Sequence, residues 1–362
     1  MTEQTKRVFF TGGGTGGHIY PAVAVADELT SLDPKVEVHF VGANRPLDQK
    51  ILSRIEYPTH TISIMPINTG NLLKKILGLL VLPYAFIEAL FLLIKYRPQL
   101  VVGYGGYASF PSLYAAYFLS IPIMLWEPNA KAGLVTRVMA DKAKQIFVNL
   151  RSKDEIFEKY NVQEVGVPTR FQRAVRNSAQ KKFRVFIFGG SSGSRSINEK
   201  VYELLEKVNR DKDHPLRELE FLHQIGSLDF EKFQALYKGF DISLEVREFV
   251  HNMSEELARA DLLICRAGAS TIAEVCISQK AAIFVPLPWA ADNHQFENAK
   301  QLAQAQAAIL LEQKDLNVDH LESLILGFVE NPDLLAMLEK NVERFAKPHA
   351  SSDMAKKILL SL

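Results

Sequence analysis

Thr11–Pro21 reads TGGGTGGHIYP and sets five glycines, Gly12, Gly13, Gly14, Gly16 and Gly17, within six positions. The run before it, Arg7–Phe10, reads as a strand, and the periodic segment after it, Tyr20–Leu32, reads as a helix. Strand, glycine loop and helix in that order open a nucleotide-type α/β fold. Glycines let main-chain N–H groups come close to a ligand. A helix N-terminus just beyond attracts anions through its unpaired N–H groups and its dipole. The loop is a candidate cradle for phosphate, pyrophosphate or an anionic transition state. A turn that only packs helix on strand is the other reading. His18 closes the loop, as a base that takes a proton near neutral pH or as an ordinary loop histidine.

Strand-like and helix-like runs alternate from there onward. Val36–Val41, Thr59–Ile64, Leu100–Gly103, Ile123–Trp126 and Gln145–Val148 read as strands. A break at Val165–Lys182, with Gly166 and Pro168, reads as a linker. The opening device then recurs, with strand Arg184–Phe188, the loop GGSSGS and a helix from about Arg195. Glu220–Gln224, Leu262–Cys265, Ala282–Val285 and Ala307–Leu311 read as further strands, and Val318–Leu360 as amphipathic helices divided by Pro332 and Pro348. Such alternation implies parallel strands with helical crossovers. The expected fold class is α/β, two Rossmann-like doubly wound domains facing a cleft. Residues 1–166 form the first, 167–345 the second, and 346–362 a helix that packs back on the first.

The second strand bears on the cofactor. A nicotinamide-binding domain carries Asp or Glu there for the ribose hydroxyls. Here the chain runs Gly42-Ala43-Asn44-Arg45, which counts against NAD and leaves NADP, with its phosphate on Arg45, as a minority reading. Lys+Arg 42 against Asp+Glu 41 gives a net charge of +1 over 362 residues, so no global field favours nucleic acid. Two cysteines, Cys265 and Cys276, both in apolar segments, read as buried thiols of a reducing compartment. MTEQTKRVFF lacks the apolar core of a signal peptide, so nothing argues for export.

Leu72–Arg97, LLKKILGLLVLPYAFIEALFLLIKYR, is the most apolar stretch, edged by Lys74, Lys75, Lys95 and Arg97. Its charge-free run, Ile76–Ile87, falls short of the ~20 residues a bilayer crossing needs, and Pro83 and Glu88 interrupt it. Lying on an anionic membrane surface and forming a core helix are the two readings. Gly103–Pro111, GYGGYASFP, is a second glycine loop after a strand, and Trp126–Thr136, WEPNAKAGLVT, a third. Glu127 and Asn129 there are substrate contacts or an ordinary solvated acid and cap.

In the second half, Cys265–Glu274, CRAGASTIAE, runs from a strand into a helix start. Gly268, Ser270 and Thr271 offer N–H and hydroxyl groups to a phosphate, and Glu274 can accept from a ribose diol. Asp292, Asn293, His294, Gln295 and Asn298 crowd the loop Pro286–Ala299, where amides can read sugar hydroxyls or cap a helix.

Gly13–His18, Gly103–Ser109, Gly189–Asn198, Cys265–Glu274 and Gln295–Ala299 stand in one order at one spacing. In this the chain resembles the GT-B glycosyltransferases of family 28, and among them the transferases of peptidoglycan synthesis. The resemblance implies inverting transfer of N-acetylglucosamine from UDP-N-acetylglucosamine to the muramoyl 4-hydroxyl of lipid I, with no cofactor and no metal. It implies peripheral attachment to an anionic membrane surface on the cytoplasmic face. It implies His18 as base, with Glu127 and Asn129 at the catalytic centre. Gly14, Thr15 and Gly16 would face the donor. Arg170 and Ser191 would contact the nucleotide, and the backbone of Val250 the uracil. Gly268, Ala269, Ser270 and Thr271 would hold phosphate, Glu274 the ribose, and His294 and Gln295 the sugar hydroxyls. The chain departs from the family pattern at Trp126, Pro128, Val167, Ser192 and His294.

Overall fold

The computed structural model describes residues 6–13, 16–65, 72–152, 154–175, 182–190 and 192–362. In chain order the first half runs β1 (Lys6–Thr11), α1 (Gly16–Leu32), β2 (Val36–Ala43), α2 (Pro46–Leu52), β3 (Thr59–Ile62), α3 (Leu72–Tyr96) and β4 (Leu100–Gly103). It continues with α4 (Phe110–Phe118), β5 (Ile123–Glu127), α5 (Leu134–Met139), β6 (Gln145–Val148), α6 (Glu155–Lys159) and β7 (Val162–Glu164). The second half runs β8 (Arg184–Phe188), α7 (Arg195–Arg210), β9 (Glu220–Gln224), α8 (Phe230–Leu236), β10 (Leu244–Arg247), α9 (Met253–Arg259) and β11 (Leu262–Cys265). Then come α10 (Ala269–Ser278), β12 (Ala281–Phe284), α11 (His294–Gln304), β13 (Ile309–Leu310), α12 (Val318–Glu330), α13 (Pro332–Val342) and α14 (Ala350–Leu359). Residues 1–170 and 348–362 form one compact unit and 171–347 a second.

The first unit is a seven-stranded parallel sheet in the order β3-β2-β1-β4-β5-β6-β7. Strands covered by helices on both faces bury nearly every side chain. Phe9, Val101, Val102, Leu125 and Phe147 are accordingly sealed from solvent. Each such side chain contributes about 1.5–3 kcal/mol, so the loops that leave β1 and β4 are anchored on strands buried in the core. Thr11 and Gly103, the last residues of those strands, lie in register. The strand order reverses between them, which is where ligands gather in such sheets. α14 packs on α1. Ser351 Oγ both accepts from the Thr169 amide at 2.9 Å and donates to its carbonyl at 3.1 Å.

The second unit repeats the plan with six parallel strands, β10-β9-β8-β11-β12-β13. Phe188 and Cys265, the last residues of β8 and β11, are again in register. Its core gathers Val185, Ile187, Leu204, Leu205, Phe221, Leu262 and Ile264.

Several elements differ from the sequence reading. α1 begins at Gly16, so His18 lies in its first turn rather than before it. Pro83 does not interrupt α3, which runs unbroken for 25 residues. Pro83 and Leu79, four residues before it, lie on the exposed face, so the carbonyl that loses its partner is not sealed in the core. The strand expected over Ala307–Leu311 shrinks to Ile309–Leu310, and β7 and β10, both edge strands, had no counterpart in the reading.

Candidate active site

In the first unit the two glycine loops interlock. Gly106 has φ +73°, and a Cβ there would stand 2.3 Å from the Gly13 carbonyl oxygen. No residue with a side chain fits that approach. Gly105, at φ +87°, lies against the imidazole, and a Cβ on it would sit 3.2 Å from His18 Nδ1. The ring is fixed by a 2.9 Å contact between Nδ1 and the Tyr104 carbonyl. A carbonyl only accepts, so Nδ1 carries the hydrogen and donates it. The neutral ring then has its lone pair on Nε2, the tautomer of a general base. Gly16 stands two residues earlier in the same first turn, whereas Gly14 and Thr15 lie outside the described residues.

Glu127 ends β5 and is buried. One oxygen accepts from the backbone and side-chain amides of Asn129, both at 3.2 Å. The other accepts from the Gly133 amide at 2.9 Å and the Thr136 hydroxyl at 2.7 Å. Burial leaves the carboxyl pKa raised above the usual range, and these donors offset only part of the rise. The carboxylate folds residues 129–136 around itself and holds Asn129 at the loop surface. Arg45 spans to the second glycine loop, donating to the Tyr107 hydroxyl at 2.5 Å. Arg170 lies at the end of the unit, ion-paired at 2.5 Å with Asp27 of α1, which also accepts from Tyr57 at 3.0 Å.

The second unit builds its loops the same way. Gly193 (φ +81°) and Gly226 (φ +85°) press backbone against backbone, and a Cβ on Gly193 would meet the Ile225 oxygen at 1.9 Å. Gln224 ties the neighbouring parts together: Nε2 donates to the Gly190 carbonyl and Oε1 accepts from the Val250 amide, each at 3.0 Å. Below it, Asn198 donates to the Ile225 carbonyl at 3.0 Å and its Oδ1 meets His223 Nε2 at 3.2 Å. Burial holds His223 near 3, so it is neutral and accepts from Tyr237 on Nδ1. Ser191 lies outside the described residues.

Gly268 precedes α10 and no side chain caps the helix, so the N–H groups of Ala269, Ser270 and Thr271 have no partner within the helix. Arg266, two residues before Gly268, is buried and donates to the Val285 and Pro286 carbonyls, Ser196 and Gln313. These acceptors are all uncharged, so the cation's field is not cancelled by them. Burial lowers its pKa to about 10, still ionised at neutral pH. One turn along, burial pushes the Glu274 carboxyl up to about 7. His294 opens α11, after Asp292 and Asn293 at φ +52° and +56°. Gln295 Oε1 accepts from the Leu287 amide at 3.0 Å.

The profile of the glycosyltransferase family 28 N-terminal domain matches residues 8–148, and that of the C-terminal domain residues 184–356. A UDP-N-acetylglucosamine--N-acetylmuramyl-(pentapeptide) pyrophosphoryl-undecaprenol N-acetylglucosamine transferase of Myxococcus xanthus is 35% identical over 96% of this chain and 91% of its own. This chain belongs to glycosyltransferase family 28. The transferase of the same name from Bdellovibrio bacteriovorus is 36% identical over 98% of this chain and 99% of its own. The crystal structure of Acinetobacter baumannii MurG is 30% identical, with a TM-score of 0.79 over 98% of this chain and 99% of that one.

Within the family 28 frame, two of the departures from the pattern fall at one buried junction. Trp126 is buried and its Nε1 donates to the Gly166 carbonyl at 3.2 Å, while Val167 is buried beside that carbonyl. Tyr104, Gln224, Asn198, His223 and Arg266 were not among the expected site residues. Tyr104, Asn198 and Arg266 lie inside the glycine-loop motifs without being singled out there, whereas His223 and Gln224, a polar pair closing β9 just before Ile225-Gly226, lie outside every motif.

Proposed function

We infer that this chain transfers N-acetylglucosamine from UDP-N-acetylglucosamine to the muramoyl 4-hydroxyl of lipid I, releasing UDP. The observation that carries the reading is 35–36% identity, along 96–98% of this chain, to transferases of that name. Incubation with labelled donor and a lipid I analogue tests it: label moves to the lipid fraction, and retention of all label in nucleotide would refute it.

The chemistry divides between the units. The acceptor is an unactivated alcohol, so a base must take its proton as the glycosidic bond forms. His18 Nε2 is our candidate. Glu127 is the second choice, and its four internal donors favour a positioning role for Asn129. The bond from the sugar to pyrophosphate breaks with negative charge growing on UDP. The amides of Gly268–Thr271 and the Arg266 field oppose that charge. Glu274 takes the ribose hydroxyls, the Val250 backbone the uracil, and His294 and Gln295 the sugar. Ser191, Arg170 and Gly14–Gly16 are further donor contacts on this reading.

The Glu274 assignment gives a pH test. A carboxylate accepts two ribose hydrogen bonds, whereas the protonated acid spends one oxygen as a donor. Ligand binding thus favours the ionised form, and affinity is lost as pH falls below the unliganded value near 7. UDP affinity by calorimetry is expected to plateau above pH 8 and fall up to about tenfold per unit below 7. Glu274→Gln flattens that limb at a lower plateau. An unchanged limb in the variant would remove Glu274 from the role.

We further propose that the first unit lies on the cytoplasmic face of an anionic membrane. An 18-residue window within Lys75–Tyr96 has a mean hydropathy of 2.3, and the helix is long enough to cross a bilayer by length and composition alone. Ala85, Ala89 and Leu93, however, are buried in the unit's core, and Glu88 accepts from the Ser63 amide at 2.6 Å and hydroxyl at 3.2 Å. Those contacts favour a helix lying flat. Leu72, Leu80, Phe91 and, on α4, Phe118 are each about two-thirds or more exposed, beside the exposed Lys75 and Lys95. Replacing Leu80 and Phe91 by Gln is expected to weaken binding to phosphatidylglycerol-containing vesicles about a hundredfold, measured by sedimentation. Unaltered binding would discard this face.

A further inference from the structure

The chain has two tryptophans with opposite fates. Trp126 is 1% exposed, whereas Trp289 is 73% exposed. Tryptophan is highly buried on average, so a bare indole is informative where hydrogen bonds hold the backbone beneath it, as they do here. Leu287-Pro288-Trp289-Ala290 is a β-turn closed by a 3.1 Å bond from the Ala290 amide to the Leu287 carbonyl, and the Asn293 amide closes a second on the Ala290 carbonyl at 2.9 Å. Pro288 presets the first central position. The left-handed Asp292 and Asn293 turn the chain directly into α11. Gln295 then bolts the turn from below by accepting the Leu287 amide. The indole therefore stands on a braced tip whose brace is itself a proposed sugar-reading residue.

We propose that Trp289 is a stacking platform for a pyranose ring of the substrates and a specificity determinant of the transfer. The inference rests on the reading of the β12–α11 loop as a sugar site. A pyranose ring offers a face of C–H hydrogens, apolar and weakly positive. The indole face carries the complementary negative quadrupole. Hydroxyls at the ring edge would go to His294 and Gln295, leaving the ring face for the indole. The donor N-acetylglucosamine and the acceptor muramoyl group share that chemistry.

The presence of only two tryptophans makes the test direct, since acrylamide quenches the exposed indole and not the buried one. Quenching is measured with UDP alone, with UDP-N-acetylglucosamine, and with a lipid I analogue plus UDP. The expected result is protection of Trp289 several-fold by one of the sugar substrates and not by UDP, and the protecting substrate names the ring. Trp289→Ala should raise the KM of that substrate about tenfold with UDP affinity unchanged, and Trp289→Phe should recover most of the loss. The proposal is overturned if UDP binds normally while neither sugar substrate protects, or if UDP alone protects as well. Protection by phosphatidylglycerol vesicles without substrate also overturns it, giving the indole to the bilayer. Failure of UDP to bind at all would overturn the donor-site reading itself, and is seen separately in the UDP titration.

Discussion

Replacing His18 by Ala is expected to lower turnover about 10²–10⁴-fold, the usual share of a positioned acid–base group, while UDP affinity stays unchanged. The separation follows from where His18 sits. Its ring is held by Tyr104 and cradled by Gly105 and Gly106, all in the first unit, whereas the proposed nucleotide contacts other than Arg170 and Gly14–Gly16 come from the second. The Ala variant also strips the Tyr104 carbonyl of its donor, which by itself costs about 1–3 kcal/mol. His18→Asn separates the two effects. The Asn amide can donate to the Tyr104 carbonyl in place of Nδ1 but cannot take a proton. An Asn variant as stable as the parent yet as inactive as Ala assigns the loss to proton transfer. Steady-state kinetics with the lipid I analogue and a melting curve suffice, and an Asn variant with full turnover would move the base elsewhere, Glu127 first.

The framework was legible because parallel sheets write themselves plainly. Buried strands such as Leu100–Gly103 and Leu262–Cys265 are continuous apolar runs, and each of the four switch-point strands is followed at once by glycine or by a short polar loop containing it. What the sequence hid lies across space. Nothing local says that Gly106 touches Gly13, that Gln224 joins Gly190 to Val250, or that Trp126 reaches Gly166, because each pair is brought together by sheet order. β10 was missed because Leu244-Glu245-Val246-Arg247 is short, with charges of both signs on an edge. β7 has three residues.

Glu127 illustrates the limit on chemistry. Its position at a strand end suggested a substrate contact or a solvated acid, and only the fold reveals it buried with four donors converging on it. Arg266 is the reverse case. A lone cation in the motif gave no hint, yet its uncharged partners fix it as a buried positive charge on the loop that leads into α10. Pro83 was read as a break, although an exposed helix face tolerates the lost hydrogen bond.

Gly193→Ala is expected to be the most damaging single methyl in the second unit. Two costs add there. At φ +81° an L-residue pays about 1–2 kcal/mol. The new Cβ would also lie 1.9 Å from the Ile225 oxygen, and relieving it must shift backbone, since Ile225 is anchored by Asn198 and by the Arg247 carbonyl. Overpacking of that kind costs about 1–3 kcal/mol more. Gly239→Ala isolates the first cost, since Gly239 has φ +90° with nothing within 4 Å of its Cβ position. The melting temperature of the second unit should therefore fall by more than twice as much for Gly193→Ala as for Gly239→Ala. UDP binding should be lost in the former alone, because the Gly193–Gly226 contact sets the loop that Gln224 links to Val250. Equal effects of the two substitutions would mean that backbone conformation, and not the close approach of the two loops, is what the glycine is there to permit.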